Sequence, residues 1–183
     1  MADHVTAVCR SCFVQLRQLC LTRSCLSMDS AKTLVHAFIS SRLDYCNSLL
    51  VGAADCVIRK LQGVQNAAAR LITGTCKFDH ITSILRNLHW LLVHLQIKYK
   101  IAMLVNKCLW GLAPLYLADL CQPVVELAGR QHLRSAASGK LSVQRTATTI
   151  GRRNFAVSSP DIWNSLPTDL LFRHCRRQHL HDT

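Results

Sequence analysis

Apolar residues recur every three or four positions through most of residues 1–122, and this spacing predicts helices rather than strands. After Ser27 or Asp29, either of which can cap a helix start, the recurring residues are Leu34, Val35, Phe38, Leu43, Cys46 and Leu50. Residues 51–54 then form a predicted turn. A second helix follows the cap Asp55 and ends at Gly74, with its apolar face formed by Ile58, Leu61, Val64, Ala68, Leu71 and Ile72.

Three further helices are predicted before residue 122. Asp79 opens a short one that ends at Leu88, and a longer one runs through Trp110 and stops at Gly111. Pro114 suits the first turn of a short helix over 115–120. Because such short connections favour antiparallel neighbours, we predict a mainly α fold with a helical bundle over 27–122.

Residues 1–26 form the first of three predicted segments, an amphipathic N-terminal helix. Its apolar positions at helical spacing are Cys9, Cys12, Phe13, Leu16, Leu19 and Cys20. We expect its packing partner to lie upstream of the sequence.

The third segment, 123–183, is predicted to be a basic, irregular extension. Between Arg130 and Arg153 it has six basic residues and no acidic residue, and helical periodicity is lost. Short extended segments are expected at 141–143 and 155–157. Ser159-Pro160-Asp161 has the pattern of a cap and first turn that lead into a short helix at Ile162.

The charge balance indicates a polyanionic partner. The chain has 22 lysines and arginines against 10 acidic residues, a formal net charge of +12, and such an excess favours RNA or DNA through phosphate contacts that do not identify the sequence. The candidate contacts are Arg59, Lys60 and Arg70 on the second helix and Arg130, Arg134, Lys140, Arg145, Arg152 and Arg153 in the extension. Trp90, Trp110 and Trp163 are either stacking faces or core residues, and their helical context favours the core.

Enzyme chemistry has little support in the sequence. Two-metal polymerase catalysis needs clustered carboxylates, but the ten acidic residues are never adjacent. Cys9-x-x-Cys12 has no second close pair of zinc ligands, and the nine histidines form no recognisable catalytic arrangement. A phosphate-binding glycine loop is also missing. We therefore predict no catalytic residue, no metal and no cofactor.

The ten cysteines and the hydropathy pattern bear on the cellular compartment. No secretory signal is visible at the N-terminus, so we expect a chain located in the nucleus or cytoplasm, with most thiols reduced and packed as small hydrophobic residues. No apolar run approaches the roughly 18–20 residues that cross a bilayer, so we expect no membrane partner.

Four blocks in this order resemble the C-terminal region of reverse transcriptases from non-LTR retrotransposons of the LINE-like jockey and chicken-repeat type. They are residues 31–50 (AKTLVHAFISSRLDYCNSLL), residues 61–74 (LQGVQNAAARLITG), residues 88–91 (LHWL) with 107–117 (KCLWGLAPLYL), and residues 155–167 (FAVSSPDIWNSLP). The resemblance extends from about residue 4 to about residue 172.

The resemblance implies a thumb and the segment beyond it, whose helices would hold a template–primer duplex. The palm of such enzymes, with its metal-binding aspartates, has no counterpart in this sequence, so no catalytic residue is carried over. Two other interpretations stay open: a helical module that self-associates through exposed apolar helix faces, and a degenerate relic without selected function. Leu92, where the family usually has proline, is typical of the sequence drift expected of a relic.

Overall fold

A computed structural model describes residues 1–126 and 139–167. The chain divides into two compact units, 1–97 and 98–183, and the division falls within a helix. The described residues are mainly helical, as predicted, with one isolated β-bridge between Pro123 and Leu141. The α-helices are α1 (Ala2–Thr22), α2 (Met28–Val35), α3 (Ser41–Asp44), α4 (Asp55–Thr73), α5 (Ile81–Asn87), α6 (Val93–Leu109), α7 (Leu115–Ala118) and α8 (Phe155–Asn164). A π-helix, His36–Ser40, joins α2 to α3, and short 3-10 helices cover Arg23–Cys25, Asn47–Leu50, Val124–Glu126 and Gly151–Arg153.

The first unit is built around α4. Helix α1 packs along α4, and α2, the π-helix and α5 also contact it. Lys60 bonds to Thr6 near the start of both helices, and Arg23 bonds to Leu71 near the end of both, so α1 and α4 run in the same direction. The segment from α2 to α3 returns between them. Helix α4 thus covers the apolar stripe of α1, so the chain itself supplies a packing partner for this helix.

The buried stripe of α1 is narrower than predicted. It consists of Val5, Cys9, Cys12, Leu16 and Leu19, which follow one another at steps of three or four. Phe13 is 42 % exposed and Cys20 is also exposed, because each lies one position beyond this stripe. Burying one valine or leucine contributes about 1.5–3 kcal/mol, so the stripe is sufficient to fix α1 on its neighbours.

The segment from α2 to α3 contains a feature that periodicity did not predict. Its buried residues are spaced at four: Ala31, Val35, Ile39, Leu43 and Asn47. In an α-helix with 3.6 residues per turn, each step of four rotates the side chain by about 40°. The wider π-helix turns part of this rotation back, which keeps the stripe on the core. Phe38 and Cys46, predicted on the apolar face, are consequently exposed.

Helix α4 agrees most closely with the sequence. It ends at Gly74, whose φ of +68° is the left-handed conformation predicted for a glycine stop. At its start, Ala54 is the N-cap residue and makes no side-chain cap hydrogen bond, so Asp55 is the first helical residue rather than the cap. Asp79 does not cap α5 either; its carboxylate accepts a hydrogen bond from the Cys76 backbone N–H, and α5 starts two residues later.

A glutamine network joins two of the sequence blocks. Buried Gln65 donates to the Leu91 carbonyl at 2.8 Å and accepts from Gln62 at 2.8 Å. The Gln62 side-chain oxygen in turn accepts from the backbone N–H of Val93 at 2.9 Å, at the start of α6. Each bond satisfies a polar group that would be costly to bury alone. The network thus fixes α4 to the segment that begins α6 within the first unit.

In the second unit, two predictions for residues 155–161 were wrong. Residues 155–157 are helical rather than extended, and Ser159-Pro160-Asp161 lies inside α8 rather than at its start. The cap is Asn154, whose side chain accepts from the Ala156 N–H at 3.2 Å. The extended character predicted at 141–143 is limited to the bridge at Leu141, where Ser142 donates to the Gln122 carbonyl at 2.9 Å.

Two side chains of α8 hold the loop at residues 139–141. Asn164 donates to the Leu141 carbonyl and accepts from its N–H, both at 2.9 Å. The buried Trp163 donates to the Gly139 carbonyl at 3.1 Å. Trp163 is therefore a core residue, whereas Trp90 is half-buried against Ala69, Ile84 and Leu85 of the first unit.

Candidate nucleic-acid interface

The exposed face of α4 carries the first group of candidate contacts. Arg59, Gly63, Asn66 and Arg70 follow one another at steps of four, three and four, which places them on one helical stripe opposite the buried face. We call these four residues the α4 stripe. Arg59 and Arg70 are three helical turns apart, about 16 Å along the axis. The open space around Gly63, where a Cβ would meet nothing within 4 Å, leaves room between the two arginines for an incoming chain.

The two arginines differ in their local contacts. Arg59 is exposed and makes no hydrogen bond or ion pair with any residue of the described ranges. Arg70 is half-buried; one terminal nitrogen reaches the Asp79 carbonyl at 3.5 Å, and its Nε is buried without a partner among the described residues. Charged donors of this kind form strong hydrogen bonds with phosphate oxygens.

Lys60 is directed away from the α4 stripe. Its ammonium group donates to the Thr6 hydroxyl of α1 at 3.3 Å and lies close enough to Cys9 to influence that thiol. Burial raises the pKa of Cys9, and the positive charge of Lys60 partly opposes the rise. Lys60 therefore contributes to the contact between α1 and α4, and the structure does not group it with Arg59 and Arg70.

The extension candidates fall partly outside the described residues. Arg130 and Arg134 lie outside the described residues. Lys140, Arg145, Arg152 and Arg153 are described and exposed, in the second unit. Lys140 flanks the β-bridge, and its carbonyl accepts from the Val124 N–H at 3.0 Å; Arg152 and Arg153 lie in the 3-10 helix before α8. Arg145 lies between them, in a segment without regular secondary structure.

Three arginines of the N-terminal helix region were not among the predicted contacts. Arg10 and Arg17 lie on the exposed side of α1, and Arg23 follows its end. The spacing of seven residues between Arg10 and Arg17, which is two helical turns, could have predicted that both lie on one face of α1. Arg23 gives no such signal, because its role depends on residues about 50 positions away: its Nε donates to the Leu71 carbonyl and its Nη2 to the Ile72 carbonyl, both at 2.8 Å.

The cysteines do not form a metal site in the part of the chain that the structure describes. Across residues 1–126 and 139–167, no three His, Cys, Asp or Glu side chains come together to hold a metal ion. The nine described cysteines are free thiols, four buried and five exposed, so the expectation that most would be packed was wrong.

Two buried thiols of the second unit interact. Burial raises the pKa of Cys121 to about 11, although a contact with the Ser159 hydroxyl at 3.8 Å opposes the rise. Burial also raises the pKa of Cys108, and its hydrogen bond with Cys121 works in the opposite direction. Both groups are therefore protonated near neutral pH and are held as small core residues.

Comparison with known proteins adds no assignment. Searches against protein-family models, curated proteins and solved structures gave no match. Within the described ranges, the helices are too short or too polar to span a bilayer. The resemblance to reverse transcriptases accordingly stays a prediction from the four sequence blocks.

Proposed function

We propose that this chain is a non-catalytic, thumb-like part of a non-LTR retrotransposon reverse transcriptase that binds the phosphate backbone of a nucleic acid. The four ordered sequence blocks support the family. The α4 stripe carries the proposed binding, because it places two basic side chains about 16 Å apart on either side of an uncovered glycine.

The spacing suits a backbone rather than a single ion. The two arginines start about 16 Å apart along the helix axis, which favours contacts with different phosphates along one strand over a single shared phosphate. Gly63 lets the backbone approach the helix closely between them. Such contacts neutralise charge without identifying bases, so binding should be independent of sequence and sensitive to salt.

Fluorescence anisotropy with a labelled primer–template duplex tests this proposal. The intact chain should bind at 50 mM salt and lose affinity as salt rises. Arg59→Gln should weaken binding to duplexes of different sequence equally. Lys32→Gln is the matched control, since Lys32 is already paired with Asp29 at 3.4 Å on α2. Failure to bind any duplex at low salt would reject the proposal.

A second candidate function is self-association, and a specific exposed patch favours it. Leu112, Leu115 and Tyr116, around the start of α7, are 75 %, 80 % and 69 % exposed. Neighbouring apolar side chains of this size are unusual on a free surface. Size-exclusion chromatography with light scattering decides between the candidates: a dimer that persists at high salt and dissociates on Leu115→Lys supports self-association, whereas a monomer rejects it.

A further inference from the structure

The first unit contains a cleft between the C-terminal parts of α1 and α4. Its volume is about 420 Å³, and it is shallow and widely open to solvent. Leu16, Ala67 and Leu71 contribute an apolar lining, and Phe13 lies beside them with 42 % of its surface exposed. Three arginines, Arg17, Arg23 and Arg70, also line the cleft, and none of its lining residues is acidic.

We propose that this cleft binds one unstacked nucleotide of a single strand, with the base on the apolar lining against Phe13 and the phosphate at Arg17 and Arg70. The inference rests on the proposed nucleic-acid binding and assigns it a second element, distinct from backbone contact along the α4 stripe. Arg70 belongs to both, so a strand that follows the stripe would reach the cleft at the end of α4.

The three arginines have different roles in the cleft. Each nitrogen of the Arg23 guanidinium already donates a hydrogen bond: besides the bonds to Leu71 and Ile72, its Nη1 donates to the Leu26 carbonyl at 2.9 Å. It therefore supplies a fixed positive charge and a rigid wall. Arg17 is exposed and makes no hydrogen bond or ion pair within the described residues, and Arg70 has an Nε without a partner there. A phosphate oxygen would supply an acceptor for Arg17 and a further one for Arg70, whose terminal nitrogen already reaches the Asp79 carbonyl.

The composition of the cleft selects among anions. Apolar lining beside an exposed aromatic ring suits a flat, partly apolar group better than inorganic phosphate. Bases stack on aromatic side chains in single-strand binding proteins irrespective of their identity. The volume lies in the range of about 300–1,000 Å³ that is typical of small-molecule sites, so a single nucleotide fits it.

Cys20 provides a direct test because it is exposed and lines the same cleft. Cys46 is exposed, lies outside the cleft and serves as the internal control. The full chain is alkylated with N-ethylmaleimide, with and without a single-stranded oligothymidylate of 12 nucleotides, and each site is quantified by mass spectrometry. We expect alkylation of Cys20 to slow at least fivefold while that of Cys46 is unchanged.

Two arginines of α1 give a matched pair of charge reversals. Arg10 and Arg17 are both exposed and free of partners within the described residues, but Arg17 alone of the two lines the cleft. Arg17→Glu should weaken oligothymidylate binding about tenfold or more and abolish protection of Cys20, whereas Arg10→Glu should change affinity less than threefold. Phe13→Ala should reduce single-strand affinity and leave duplex affinity unchanged.

The outcomes separate this inference from the proposed function. If the duplex binds with salt dependence while oligothymidylate leaves Cys20 unprotected, the cleft proposal fails and backbone binding stands. Equal losses for the two charge reversals, or protection of Cys20 by octanoate and not by the oligonucleotide, also overturn it. If neither nucleic acid binds, both proposals fail.

Discussion

Replacing Arg23 with alanine tests how the first unit is held together. The Arg23 guanidinium donates three hydrogen bonds at 2.8, 2.8 and 2.9 Å, two of them to carbonyls in the last turn of α4. Carbonyls there have no partner within the helix, and a positive charge is favourable beside them. The side chain therefore fixes the end of α1 to the end of α4.

The magnitude follows from the hydrogen bonds. One bond to a charged donor contributes about 1.5–3 kcal/mol net. The three bonds share a single side chain, and water can reach the half-buried carbonyls after truncation, so their sum is an overestimate. We expect Arg23→Ala to lower the free energy of unfolding by about 2–4 kcal/mol, a large part of the roughly 5–15 kcal/mol typical of a domain.

Urea unfolding followed by circular dichroism at 222 nm measures this loss by linear extrapolation. With a slope of about 2 kcal/mol/M, in the middle of the range for small proteins, the midpoint should fall by roughly 1–2 M. Arg17→Ala is the control, since Arg17 lies nearby on α1 and bonds to no described residue; it should stay within about 0.5 kcal/mol of the unmodified chain. Equal effects of the two substitutions would refute the role assigned to Arg23.

Three further predictions concern helix α4 and the second unit. Gly63→Ala should stabilise the chain by about 0.5–1 kcal/mol in urea unfolding, because the site is helical and open. Gly74→Ala should instead destabilise it by about 1–2 kcal/mol, because φ there is +68°. A change of the same sign for both variants would be inconsistent with the structure. Asn164→Ala removes two hydrogen bonds to Leu141 and should cost about 1–3 kcal/mol, measured as a lower thermal midpoint; an unchanged midpoint would argue against this contact. The pKa of the Cys121 thiol is near 9 in the unfolded chain and about 11 in the folded chain, so its contribution to stability is fully present below pH 9 and is lost as pH rises to 11. Cys121→Ala should therefore reduce the fall in the free energy of unfolding between pH 9 and 11 by on the order of 2 kcal/mol. An identical fall in the variant would contradict this role.

The helices that sequence predicted best are those whose signals are local. Gly74 marks the end of α4 because a left-handed residue after a helix favours glycine, and this holds whatever packs nearby. The mainly α fold follows from the same periodicity. The predicted start of α8 was wrong although it also rested on a local signal. Ser159-Pro160-Asp161 is a typical cap pattern, but Asn154 caps the helix five residues earlier.

The features missed depend on distant residues. The π-helix at 36–40 forms because α2 and α3 must bury one continuous stripe. This requirement comes from the packing of both helices and cannot be read from residues 36–40 alone. The cleft arises where α1 meets α4, so no window of sequence contains both Arg17 and Arg70. Sequence identified Arg59 and Arg70 by charge alone, while the structure adds that they share a face with Gly63 and that Lys60 does not.

The salt dependence of duplex binding tests the central claim most directly. For each phosphate neutralised on duplex DNA, the slope of log affinity against log salt is about −0.9. The double variant Arg59→Gln, Arg70→Gln should therefore have a slope that is shallower by about 1.8 than that of the unmodified chain, with weaker binding at every salt concentration. An unchanged slope, or affinity that does not depend on salt, would contradict phosphate binding by the α4 stripe.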